Sequence, residues 1–317
     1  MRRGVLTGTV AQAMAITVPL GLPLFFLAAL VSGHLGDVLG FSPHAIAALM
    51  GAGVMHFVWG RYCNYRATRA LGTNLVAPIQ QVNLIVTLVL AIWLLGEQLT
   101  GLKLIGIALV LVGPAVTMRA RERPAGEVNV SDEKITAIDA EKPDTFQPNY
   151  GEGVLFSLLS AVGYGLSPIL VRVGLEHKGI GASFAGGLVA YAAATALMAL
   201  FLLWPGQLRH ALAVNRESAK WFTLSGVLVF ISQLFLYMAM SVAPVTVISP
   251  ISRTSIVFRL YFSRLLNPQH EVFGGGVIVG TAVSLFGAVL LSLSTHAIQD
   301  LVPLPEALVA LLNWHWP

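Results

Sequence analysis

Cysteine is nearly missing from this chain: Cys63 is the single one in 317 residues. An internal disulfide framework and a multi-cysteine metal site are therefore excluded, and Cys63 is expected to act as a small apolar residue in a packed helix. Charge is scarce as well, at 11% of residues against about 25% in soluble domains, so water alone cannot be the solvent. The 15 acidic residues fall in loops, in one polar stretch, or at the ends of apolar segments, and none sits in the middle of an apolar run. That excludes a cation exporter built on a membrane-buried glutamate within these residues. No glycine-rich loop stands between a strand and a helix, so the glycines are not a phosphate cradle. His44, His177, His210 and His270 are scattered over different loops, which argues against an enzyme acting on lipid substrates. No motif calls for a cofactor or a metal, and no catalytic constellation is found.

What is present is apolar sequence. Hydrophobic residues make up 56% of the chain, and the mean hydropathy is +0.77. A crossing helix needs about 20 mostly apolar residues. Nine segments qualify: 8–32, 46–68, 74–95, 101–118, 154–175, 182–204, 219–241, 244–266 and 272–294. The chain is thus expected to be an all-α, multi-pass protein of the cell (inner) membrane, with the lipid bilayer as its first partner. Its net charge of +4 is spread through loops, so nucleic acid is not an expected partner. Residues 119–150 hold seven acids, five bases and three prolines, too polar to form a core, and read as an exposed linker. Residues 301–317 are too short to cross. Pro305-Glu306 is a helix-start signal, and Trp314 and Trp316 suit the headgroup zone, so 297–317 is expected to be an interfacial tail.

The two sides of the linker repeat each other. Adding 172 carries Tyr65 onto Tyr237, Ala67 onto Ala239 and Pro78 onto Pro250. Beyond the prolines the offset is 174, and it carries Glu97, Gly106 and Gly113 onto Glu271, Gly280 and Gly287. Residues 1–118 and 151–296 therefore form two copies of one unit, with four spans and five. The member absent from the first copy would correspond to 154–175 and end near Arg2 and Arg3, as though the chain begins one helix late. An odd number of spans per unit makes the copies inverted, with a site between them that can open to either side. Of 19 Lys and Arg, 13 lie on the face carrying the start and linker and three on the opposite face. The start and linker are expected in the cytoplasm.

With the repeat and the GEQLT…G…G signature of 96–113 in view, the chain resembles the EamA-type transporters of the drug/metabolite transporter superfamily. The residues carrying the resemblance are 70–113, its weaker echo at 242–287, and GRYCNYRATRALG at 60–72. The resemblance implies ten helices in two inverted five-helix repeats around a central cavity, and export or exchange of small metabolites or drugs. It also brings Tyr164, Ser167, Pro168 and Tyr237 forward as cavity residues.

Polar groups within spans are costly and normally face a cavity or a partner. They are Arg61, Gln80, Gln81, Asn83, Gln233 and Arg253, with Ser249 and Ser252 beside Pro250. The 172 offset pairs Arg61 with Gln233 and Gln81 with Arg253, so each copy supplies one arginine and one glutamine to a shared cleft. Pro78 and Pro250 each remove a backbone donor, and helix breaks beside the cavity are expected there. His56 is expected to be hydrogen-bonded core, Arg259 and Arg264 interface anchors, and the repeated glycines helix contacts. The expected function is secondary transport of a small metabolite by alternating access, with a preference for a polar neutral or anionic solute. The competing reading is a non-transporting membrane scaffold or sensor derived from a truncated carrier. A second copy of the chain is a candidate partner.

Overall fold

A computed structural model describes residues 2–95, 100–122, 147–175, 178–242, 245, 248, 252, 255–266, 275–290, 293 and 305–314. Its regular elements are helices: α1 (Arg2–Thr7), α2 (Val10–Thr17), α3 (Gly21–Val31), α4 (Pro43–Gly53), α5 (Arg61–Leu71), α6 (Thr73–Gln80), α7 (Asn83–Leu95) and α8 (Gly101–Glu122), then α9 (Tyr150–Leu175), α10 (Ala182–Leu202), α11 (Gln207–Leu212), α12 (Arg216–Val242), α13 (Ser255–Leu266), α14 (Gly275–Leu290) and α15 (Glu306–Leu312). Five stretches of the described residues are long and apolar enough to cross a membrane: Val10–Val31, Thr73–Leu90, Tyr150–Leu175, Ala182–Leu202 and Arg216–Val242. Gly275–Leu290 is apolar but shorter. The molecule is an all-helical, multi-pass membrane protein.

Several expected spans differ in detail, for local reasons. The 8–32 segment is two helices. Thr9 and Gln12 form a capping box that starts α2, the hydroxyl accepting from the Gln12 amide and the Gln12 side chain accepting from the Thr9 amide. Pro19 then has no N–H to continue the ladder, and the chain tightens: Gly21 N donates to the Val18 carbonyl at 3.2 Å. The segment expected at 46–68 is helical from Pro43 to Leu71 but is not among the five stretches above. Ser42 caps its start through the Ala45 amide, and Gly72, at φ 81°, ends it. Within it, Val54–Gly60 is a π-helix. The third span is interrupted at residues 81–82, one turn past Pro78, where Gln81 N and Val82 N donate to the Pro78 and Ile79 carbonyls. The linker expected at 119–150 is entered by α8 as far as Glu122 and left at Tyr150; residues 123–146, with Glu97 and Glu271, lie outside the described residues. Cys63 is buried.

The repeated glycines sit at one contact. A Cβ on Gly113 would lie 2.5 Å from the Gly280 carbonyl, and one on Gly287 would lie 2.7 Å from the Gly106 carbonyl. Helices α8 and α14 thus run antiparallel, backbone against backbone, each offering the glycines at equivalent places. Small residues allow this approach where dispersion drives association in lipid. The tail helix α15 closes on the start of α8, with Gly101 N donating to the Trp314 carbonyl at 3.0 Å. Gly113→Ala is expected to destabilise the folded protein by about 1–3 kcal/mol, because the obstructing atoms include a carbonyl that cannot step aside. Gly275→Ala, which would meet nothing within 4 Å, is the control, and thermal unfolding in detergent checks both.

Candidate functional site

A cavity of about 730 Å³ opens between the π segment Val54–Gly60, α5–α7, α9, α12 and α13. The Pro43–Leu71 segment supplies its most polar wall. Arg61, Asn64, Tyr65 and Thr68 recur at spacings of three, one and three residues, so they share one helical face. Residues five apart diverge by about 140° on an α-helix, which would turn His56 away from Arg61. The π segment, with its i→i+5 bonds, brings His56 to the cavity as well. Gln80 and Asn83, three apart across the break in the third span, also reach it, and Gln80 donates to Asn64 Oδ1 at 2.7 Å and to Ser160 Oγ at 3.2 Å. From the other half of the chain come Tyr164 and Pro168 on α9, Ser225, Ser232 and Gln233 on α12, Ser252, and Ser255 and Phe258 on α13. Among these lining residues there is no Asp or Glu.

Arg61 is only 3% exposed. Its Nη1 donates to the Thr17 carbonyl at 3.0 Å, and its Nη2 to the Tyr191 hydroxyl at 3.2 Å. That carbonyl is available because Gly21 N has shortened its bond to Val18 after Pro19. The Phe57 and Tyr191 rings lie 5.0 Å and 5.9 Å from the guanidinium carbon, within cation–π range. Among the described residues no carboxylate pairs with Arg61 and its other N–H groups have no partner. Tyr65 supports the same corner, its hydroxyl donating to Thr17 Oγ1 at 3.2 Å. His56 and Gln233 join the two halves of the chain, His56 Nε2 lying 3.1 Å from Gln233 Nε2, and the His56 ring packs 4.7 Å from that of Tyr164.

Six of the ten candidate binding residues thus border the cavity: Arg61, Gln80, Asn83, Tyr164, Gln233 and Ser252. Gln81 and Tyr237 do not. Gln81 is one residue from Gln80 and so points about 100° away from it; it is 1% exposed, and its Nε2 has no partner among the described residues. Tyr237 turns between helices onto Phe25, ring centroids 6.1 Å apart, at 1% exposure. Ser167 is likewise buried away from the cavity, and Pro78 is enclosed in α6 rather than exposed at its wall. Arg253, Ser249 and Pro250 lie outside the described residues. The polar face of Asn64, Tyr65 and Thr68 was readable from its spacing to Arg61, whereas His56 depended on the π segment. Arg61→Leu is expected to destabilise the protein by about 2–4 kcal/mol, since it strands two buried acceptors. Arg61→Lys should cost less but not recover fully, because one ammonium cannot reproduce a two-armed contact; thermal unfolding in detergent distinguishes them.

The sequence model of the EamA-like transporter family matches residues 1–119 and 151–293. A search of curated proteins finds no match. Among solved structures, one described only as a crystal structure of a protein is similar with a TM-score of 0.53 and 16% identity, over 88% of this chain and 86% of that one; this is a likeness of fold. Most of the chain's length is accounted for by the two family matches, and the chain belongs to the EamA-like transporter family.

Proposed function

We propose that this protein is a secondary carrier, an exporter or exchanger that binds one small organic solute in the central cavity and exposes it to the two membrane faces in turn. The observation that carries this reading is a 730 Å³ polar cavity walled by helices from both halves of the chain, the arrangement alternating access requires. The antiparallel contact of α8 with α14 through Gly106, Gly113, Gly280 and Gly287 supports inverted repeats that rock about a shared axis. The His56–Gln233 contact spans the two halves where such rocking would be felt.

The solute is polar and neutral, or anionic. A buried guanidinium without a carboxylate nearby leaves a positive field for a solute to neutralise, and the amides of Asn64, Gln80, Asn83 and Gln233 offer both donors and acceptors. Arg253, at the position equivalent to Gln81, is proposed as a second contact, with Ser249 beside the Pro250 break. Exchange of small carboxylates in proteoliposomes should fall at least tenfold in Arg61→Lys and Arg253→Gln, in protein shown to remain folded. Uptake of a lipophilic cation by the wild type, unchanged in both variants, would contradict the assignment.

The distribution of Lys and Arg favours an orientation with the start of the chain and the linker on the cytoplasmic side of the cell (inner) membrane, since 13 of the 19 fall on that face. Green fluorescent protein inserted after residue 135 should fluoresce and alkaline phosphatase at the same place should be inactive; the opposite pattern reverses the orientation.

A further inference from the structure

The cavity is not closed on all sides. Helix α12 carries a stripe of exposed apolar residues, Leu224, Leu228, Ile231, Phe235 and Val242, at the spacing of one helical face. In a membrane protein that face meets acyl chains. Phe235, 63% exposed, belongs to this stripe and also lines the cavity. The same holds across the gap. Phe258, 62% exposed, lines the cavity and continues into Tyr261, Phe262 and Leu265, all exposed on α13. Ser232, Ser252 and Ser255, also exposed and lining, place hydroxyls in the slit between these two lipid-facing stripes. Exposed Phe235 and Phe258 give the slit apolar edges, while the buried polar side chains Arg61, Gln80 and Asn83 line the same cavity, so the opening suits a ligand that is apolar at one end and polar at the other.

The far wall defines the polar end. Arg61 is the one cationic side chain among the described lining residues, and no acid accompanies it. A single unpaired guanidinium suits one negative charge, and its planar fork suits a carboxylate.

We propose that the cavity opens sideways into the bilayer between α12 and α13 and admits a single-chain amphipathic carboxylate. Its head group meets Arg61 and its tail lies in the slit bordered by Ser232, Phe235, Ser255 and Phe258. This rests on the carrier reading only in taking the same cavity as the binding site. It adds that the ligand is drawn from the membrane rather than from water.

The test is photolabelling of the full chain in lipid nanodiscs with a decanoate bearing a diazirine at the end of its tail. Adducts are expected within 225–242 and 252–266. Competition by unlabelled n-alkyl carboxylates should improve about fourfold per added methylene, and alkylammonium ions of equal length should not compete. Arg61→Gln should weaken labelling at least tenfold. Should that variant fail to fold, the carboxylate–ammonium comparison on the wild type carries the same information. Adducts confined to other helices, equal competition by short and long carboxylates, or equal competition by ammonium ions would each overturn the proposal. An intersubunit disulfide forming in membranes across Phe235→Cys would also overturn it, by showing that a second copy covers the slit. Labelling needs no turnover. Slit labelling in a protein that moves no solute would end the carrier reading and leave this one standing, and transport with labelling elsewhere would do the reverse.

Discussion

Arg61 buries a permanent cation between helices, and the helices around it are arranged as a consequence. An arginine at the centre of a crossing helix costs about 3 kcal/mol. Two hydrogen bonds from a charged donor, at about 1.5 kcal/mol each, are of the size needed to offset that, and the Phe57 and Tyr191 rings add to them. Both bonds come from other segments: the Thr17 carbonyl on the first apolar stretch and the Tyr191 hydroxyl on α10. The first is available because Pro19 breaks that stretch. One proline, one arginine and one tyrosine, far apart in sequence, therefore hold α2, α5 and α10 together at the wall of the cavity.

The same wall shows how backbone irregularity is used. Three departures from α-geometry lie close to the cavity: the break after Thr17, the π segment Val54–Gly60 and the tight turn at 81–82. Non-helical backbone at membrane depth is tolerated only where it is buried in protein or borders a polar cavity. Each departure has a result. The first frees a carbonyl for Arg61, the second brings His56 onto Arg61's face, and the third lets Gln80 and Asn83 face inward while Gln81 turns away. Helices α8 and α14, by contrast, meet through glycines.

Much of this was legible in the chain before folding. Low charge and long apolar runs point to a multi-pass helical membrane protein. The glycines at equivalent places predicted a helix contact, because nothing but close packing explains small residues at matched positions in lipid. Arg61, Gln80, Asn83 and Gln233 stood out as polar side chains where polarity is expensive. That reasoning could say which residues avoid lipid but not what they face instead. Gln81 and Tyr237 satisfy it as well, and both are buried between helices away from the cavity.

By itself, then, the sequence determined composition-driven properties: the solvent, the helical class and the polar residues that had to be sheltered. Tertiary structure decided which of those residues share a wall. A difference of one residue turns a helical side chain by about 100°, and a π segment or a proline break shifts that register without changing the residues that signal it.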